Sequence, residues 1–494
     1  MAASIAFVGY PAAVLVNDNR EAVMQKLWGS FLPLTGKKDG DWLQVKMGDD
    51  RFWIHKNETQ PEGILEIMFL DIGQGDGCLL NIPQQGSEPR RMIIDAGASD
   101  NMIRFLADKY QRSQKPVNFE AFIITHPDED HYFGFDPILD SPDFKVQTIY
   151  HSGLVERVAS TSSDSLGPRK KLDGRAYVTD LIATKADLDQ LLTPARVGKK
   201  QYPRMMRKAV DSARVADIRM INATDGHLPG CGPEDDVTLE ILGPVPENVD
   251  SGKPALRWLS DVGKTKNGHS VVIRLIYGKV SILLGGDLNI PAEEYLLEHY
   301  TGEHVPPRTV EDEERLIRKA QRVFQSDFAK SCHHGSADFT EFFLQAVNAH
   351  ATVISSGDDE PHAHPRADTL GTVGKHSRGR RSLIFSTELA RSTRETIRNA
   401  DEFRETVRQA AADLEAANKT GVESKISAAK KKCDAILNQI ERSVTTFGAI
   451  NMRTDGDRVV FAYKIERPRD EKSRWDIYKF ERDSAGDLVF QSKH

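Results

Sequence analysis

The run EAFIITHPDEDHYFG, residues 120–134, decides how this chain is read. An apolar strand delivers five ligand-capable side chains within six positions, His126, Asp128, Glu129, Asp130 and His131. Two imidazoles and several carboxylates at the end of a buried strand are costly unless a cation compensates them. The run therefore predicts a metal site. Imidazoles suit Zn, Mn or Fe, and Asp128 with Asp130 shifts the set toward harder ions, which places Mn²⁺ beside Zn²⁺.

One loop offers too few ligands for two ions, so further ligands are expected at later strand ends. SILLGGD, residues 281–287, runs an apolar strand into two glycines and Asp287, which could bridge two ions. DFAKSCHHGS, residues 327–336, carries adjacent histidines. In an extended chain only one of them faces an ion, which favours His334 beside Gly335 and leaves His333 in support. Cys332 reads as a buried strand residue. SSGDDEPHAHP, residues 355–365, holds His364 before a proline that biases it to extended geometry. His364 could ligate, donate to a substrate oxyanion, or be an ordinary surface histidine. Asn267 and Ser270 of NGHS lie at another strand mouth, where they read as substrate contacts or as turn formers.

The remaining chain fits an α/β protein around that site. Strand texture covers LEIMFLDIGQGDGCLLNI, RRMIIDAG and the run above, then 238–242, 270–277, 280–284 and 352–355, with a helical pattern at 101–110. Residues 1–60 alternate apolar positions with Gly/Asp turns and read as a small SH3-like β module or an N-terminal extension of the next sheet. The strand texture lapses over about 152–235, and residues 167–219 hold 13 Lys/Arg against 6 Asp/Glu. That basic insertion is a solvated helical excursion or a contact for an anionic substrate through Lys199, Lys200, Arg204 and Arg207. Residues 386–443 predict a helical hairpin with Ile397, Ala400, Phe403, Val407 and Leu414 on one face and Ile426, Ala429, Cys433, Ile436 and Ile440 on the other. It would pack on the body, or bind a partner or a second copy through 390–440. Strands follow over 444–494.

Composition removes several function classes. The 494 residues carry a formal charge of −7, so the whole molecule is no polycation and any nucleic-acid contact is local. No apolar run reaches the roughly 18 residues a membrane span needs. Four cysteines without CxxC spacing argue against a disulfide framework. The first residues lack a basic secretory n-region, which makes the cytoplasm the expected compartment.

The ordered set DIGQGDG from Asp71, IDAG ending at Gly97, THPDEDH, NGHS, GGD ending at Asp287, HHGS and His364–Pro365 resembles the metallo-β-lactamase fold. More narrowly, it resembles the hydrolase domain of the ComEC-type competence DNA-uptake family over about residues 65–385. The resemblance implies an αββα sandwich spanning 62–385, with a metal centre at one edge. It also implies two divalent ions, Zn²⁺ or Mn²⁺, with His126 and Asp128 on one, Asp130, His131 and His334 on the other, Asp287 between them and a bridging hydroxide as nucleophile. Asp130 and His364 would take part in catalysis, and Asp76, Asp95 and His333 would stand behind the ligands. The family's channel is absent, its second histidine is Asp128 here, and the glycine before its His-Pro pair is Ala363. Phosphodiester hydrolysis by a DNA nuclease is the leading expectation. A small-ester hydrolase acting on a nucleotide, a phosphorylcholine-like diester or a lactone is the alternative, and a scaffold with a vestigial site is a third.

Overall fold

The computed structural model describes residues 5–491 apart from 86–87, 112, 160, 162–163, 251–252, 358–361, 380, 388–399, 447–448 and 466–467. Two sheets face each other. The first has ten strands in the order Val215–Met220, Phe144–His151, Val117–Ile124, Arg90–Ala96, Gly77–Ile82, Leu65–Phe69, Ile450–Thr454, Val459–Lys464, Trp475–Arg482 and Leu488–Gln491. The second has six, in the order Thr238–Gly243, Val272–Tyr277, Val280–Leu284, Phe328–Lys330, Ala351–Ile354 and Leu383–Ser386.

The period-2 alternation of each strand sorts its side chains into layers. Leu65, Ile67, Leu80, Ile82, Met92 and Ile94 point inward and meet Ile273, Ile282, Phe328 and Val353 of the facing sheet. Met68, Leu79, Ile93 and Phe122 point outward beneath helices Asn101–Lys109, Phe135–Asp140 and Gln201–Asp211. On the far side Val272 and Leu283 pack under Ile290–Thr301, Val310–Phe324 and Glu341–Val347. The result is the four-layer αββα arrangement. Each fully buried Leu, Ile or Phe in it contributes roughly 1.5–3 kcal/mol.

Two expectations about organisation change, and a third, the hairpin on the body, is met. The C-terminal strands are no separate unit, because Ile450–Thr454 pairs antiparallel with Leu65–Phe69 and extends the first sheet past what would otherwise be its open edge. The insertion is only in part a helical excursion, with the helices Lys185–Leu191 and Gln201–Asp211. Arg169–Leu172 and Arg175–Val178 join Lys253–Arg257 and Glu247–Asp250 in a four-stranded sheet, and Val215–Met220 pairs in parallel with Phe144–His151 in the main sheet. The hairpin consists of Ala400–Thr420 and Glu423–Thr446, reversing at Gly421, and it packs against Asn101–Lys109. Ala410 and Ala417 are buried in it while Val407 and Leu437 are exposed. Ile397 and the side chains of Phe403 and Ile440 lie outside the described residues.

Residues 5–60 form their own seven-stranded antiparallel sheet around Val8, Leu15, Leu32, Val45 and Ile54. Trp28 leaves that core to pack on Val460 and Ala462, while Arg453 donates to Trp28 O and Ser30 Oγ. Among the described residues no helix is long and apolar enough to cross a membrane.

Candidate metal centre

Parallel strands of both sheets end at one edge, the position at which open α/β sheets expose polar loops to a crevice. Val117–Ile124 leads into His126–His131, Arg90–Ala96 ends beside Asp95, Val280–Leu284 precedes Asp287 and Phe328–Lys330 precedes His334. The DIGQGDG turn is drawn tight against this loop. Gly75 has φ +106°, and a Cβ there would lie 1.8 Å from Asp130 O. Asp76 N donates to that same carbonyl (3.2 Å).

The imidazole edges converge. His131 Nε2 and His334 Nε2 lie 3.3 Å apart, and Asp287 Oδ2 is 3.2 Å from each. Asp130 closes the group, with Oδ2 3.5 Å from His334 Nε2 and Oδ1 4.0 Å from His131 Nε2. Asp76, His131, Asp287 and His334 each offer a ligand atom, and these four atoms lie within 4.8 Å of one another. Asp76 differs in its approach, because its carboxylate meets His334 at Nδ1 (3.1 Å), away from the Nε2 atoms. The Ser355 carbonyl, 3.1 Å from His334 Nδ1, orients that ring, and Asp130 lies on the Nε2 side where an ion would be shared.

Support comes from behind. Asp95 Oδ2 is 2.7 Å from His131 Nδ1, and Asp95 also accepts from Thr125 N (2.8 Å) and Thr125 Oγ1 (2.7 Å). Ser270 Oγ donates to Asn267 O, accepts from Asp287 N and lies 3.3 Å from His126 Nδ1. Ser270 thus acts within the scaffold of the centre. The HHGS residues are not extended, since His333 and His334 have φ 47° and 53° in a tight turn. That left-handed pair, costly for non-glycine residues, buries His334 and leaves His333 partly exposed with Nε2 3.9 Å from Asp287. Ala363 likewise has φ +55°, a conformation that favours glycine. The His364 ring centroid stands 5.5 Å from His333 and 6.3 Å from His334.

Charge sets the protonation states. Burial would lower the His131 and His334 pKa values, but Asp287 and Asp95 around the first, and Asp287 and Asp76 around the second, raise both well above the usual histidine range. Burial would raise Asp287 and Asp130, and the same imidazoles hold both far below. His126 is driven down chiefly by burial, so its imidazole is neutral. Its Nε2 has no hydrogen-bond partner, and Asp287 Oδ1 and Asp76 Oδ1 accept no hydrogen bond. Acceptors left bare in a buried cluster are what a cation site requires.

Two lysines absent from the expected site complete it. Lys330 is buried on the short strand Phe328–Lys330, ion-paired to Asp76 and 3.8 Å from Asp287. A lysine inside the apolar stretch FAK was a legible sign of a buried partner. Lys266, on the helix Val262–Gly268, pairs with Asp128 and reaches Glu156 at 3.6 Å. Glu156 also accepts from Lys200 (2.9 Å). Asn267 completes Asp128 once its amide is turned so that nitrogen rather than oxygen faces the two acceptors, Asp128 Oδ2 at 2.7 Å and Gly263 O at 3.0 Å. No local pattern announced Lys266 or Glu156, because both meet Asp128 only through tertiary packing.

Of the four basic residues expected to meet substrate, Lys200 is held by Glu156, and Arg207 by Asp189 and Asp211. Lys199 and Arg204 are exposed. Their helix, Gln201–Asp211, reaches the metal loop through Tyr202, whose ring centroid is 4.8 Å from that of Tyr132.

A four-layer sandwich with an Asp/His cluster at the carboxyl ends of its strands has the layout of a metal-dependent hydrolase. Residues 87–327 match the Metallo-beta-lactamase superfamily profile, and the chain carries a domain of that superfamily. Among solved structures it is similar to Tm1679, described as a metal-dependent hydrolase of the beta-lactamase superfamily, at 10% identity over 65% of this chain and 95% of that one, with a TM-score of 0.32. It is similar also to the metallo-beta-lactamase SMB-1 bound to 2-mercaptoethanesulfonate, at 13% identity over 54% of this chain and 76% of that one, with a TM-score of 0.23. No curated protein matches the chain.

Proposed function

We propose that this chain is a metal-dependent phosphodiesterase whose substrate is DNA, in keeping with its resemblance to the ComEC-type hydrolase domain. The observation that carries this reading is the convergence of Asp130, His131, Asp287 and His334, two carboxylates and two imidazoles within 3.2–4.0 Å contacts of one another. Such a mixed set accepts Mn²⁺ or Zn²⁺. A bound divalent ion supplies Lewis acidity to a phosphoryl oxygen and acidifies water.

The chain's own groups do the rest. Asp95 and the Ser355 carbonyl fix the two imidazoles through their Nδ1 edges, so both Nε2 atoms face the same point. His364, next to His333, is placed to donate to a phosphoryl oxygen as charge develops. Lys199 and Arg204 offer charge along the backbone of a long substrate. Lys200 and Arg207 already face acidic neighbours, which favours a short basic footprint and keeps a small phosphodiester as the second reading. A cytoplasmic setting, an SH3-like role for residues 1–60 and a partner site on the hairpin belong to this proposal too.

The test is hydrolysis of bis(p-nitrophenyl) phosphate and plasmid DNA by metal-stripped protein restored with Mn²⁺ or Zn²⁺, beside Asp287→Ala. Cleavage of both substrates that vanishes in the variant supports the nuclease reading. Diester cleavage without DNA cleavage moves it to a small substrate, and silence on both overturns it.

A further inference from the structure

The expected pair of ions demands two sites of comparable quality, and the two sides of this centre differ in their charge balance. Around His131 and His334 stand four carboxylates, Asp76, Asp95, Asp130 and Asp287, against the Lys330 ammonium and the two imidazoles, whose positive charge a bound ion would replace. That side has negative charge to spare and bare oxygens on Asp287 and Asp76. Around Asp128 the balance is already closed. Asp128 and Glu156 face Lys266 and Lys200 in an alternating row of two carboxylates and two ammoniums.

The donors are uneven as well. On the Asp128 side His126 Nε2 is left without a hydrogen-bond partner. Asp128 gives one oxygen to Lys266 and the other to the Asn267 amide. Ser270 sits 3.3 Å from His126 Nδ1, behind the ring rather than before it. Lys266 is well held there, with its side chain 14% exposed between two carboxylates and rooted in a helix whose first turn is capped by Asp261 accepting from Lys264 N. A second divalent ion on Asp128 would have to displace this ammonium or lie beside it, against like-charge repulsion.

We infer that the centre retains a single divalent ion, held by Asp130, His131, Asp287 and His334, and that the Lys266 ammonium takes the place of the second ion beside Asp128. Lys266 then holds the positive charge at the side of the site nearest the insertion, where the second ion would otherwise stand. This rests on the metal-centre reading above and refines its stoichiometry.

The full chain, stripped with chelator and loaded with Mn²⁺, is passed through gel filtration and assayed for metal by mass spectrometry and for Mn²⁺ spin coupling by electron paramagnetic resonance. Wild type is expected to retain one Mn²⁺ with an uncoupled six-line signal. Lys266→Met is expected to retain a second ion and show a coupled pair, and Lys266→Gln serves if the methionine variant does not fold. His126→Ala is expected to keep its one ion. Two coupled ions in wild type overturn the inference while leaving the metal-centre reading intact. A single ion in both Lys266 variants overturns the role given to Lys266, and no retained Mn²⁺ in wild type overturns the metal-centre reading itself.

Discussion

The centre of this protein compensates buried carboxylates in two ways a few ångströms apart. Asp130 and Asp287 face the Nε2 edges of His131 and His334, and Asp287 keeps an unsatisfied oxygen. Asp128 faces the lysine Lys266 and the amide of Asn267. The contrast shows that a run such as HPDEDH is not a set of equivalent ligands. Its first half and its second half meet different neighbours, and those neighbours decide which carboxylate is open to an ion. A third carboxylate serves as the control. Glu293 is fully buried, accepts from Thr340 N and has no cation beside it among the described residues, so burial pushes its pKa up to about 8.

The strongest way to break the comparison is Asp287→Ala. Both Mn²⁺ retention and diester turnover are expected to disappear while circular dichroism and elution volume stay as in wild type. Turnover that survives would place the chemistry elsewhere. His126→Ala, on the other side, is expected to keep its ion.

Next in size is Lys330→Met, which takes the ammonium from buried Asp76 and leaves it only the His334 imidazole. Breaking one partner of a buried pair costs about 3–5 kcal/mol, read as a lower urea midpoint at unchanged m-value. Adding Asp76→Asn is expected to restore part of that stability. Lys266→Met is expected to cost less, because Asp128 is 25% exposed against 9% for Asp76. Equal costs would erase the distinction between the two lysines.

Glu293→Gln sharpens the comparison through pH. The native carboxyl, raised from 4.5 to about 8, keeps a proton that the unfolded chain releases. The stability tied to that proton falls away as pH rises through this window. The glutamine variant is expected to flatten the decline between about pH 6 and pH 8 by on the order of 1–2 kcal/mol, measured by denaturation at each pH. A parallel decline in both proteins would place the titration in another group.

The smallest effect concerns the insertion. Charge reversal at Lys199 and Arg204 is expected to weaken DNA binding and reduce the slope of log K against log salt by about 0.9 for each phosphate that the protein no longer neutralises. Reversal at Arg207 acts through Asp189 and Asp211 instead, so its mark is on thermal stability. An unchanged salt slope at Lys199 and Arg204 favours the small-substrate reading.

Much of this was legible in the chain. The strands around residues 65–96, 117–124 and 280–284 follow from unbroken apolar runs, and Asp287 and His334 follow from acids and imidazoles at the ends of such runs. Other features were hidden for definite reasons. Local pattern treats HHGS as extended, whereas two consecutive left-handed residues turn His334 inward. The partner of Ile450 is Phe69, and nothing in either strand names the other. The insertion's charge counted as a basic patch, but much of it is spent on neighbouring acids that become neighbours only on folding.

By itself, the sequence determined an α/β chain with a metal-ligand loop at a strand end, because periodicity and side-chain chemistry are local properties of the chain. The tertiary structure decided which carboxylates remain open. Compensation of a buried charge depends on what packs within about 4 Å of it, and for Asp76 and Asp128 that is a lysine from another part of the chain.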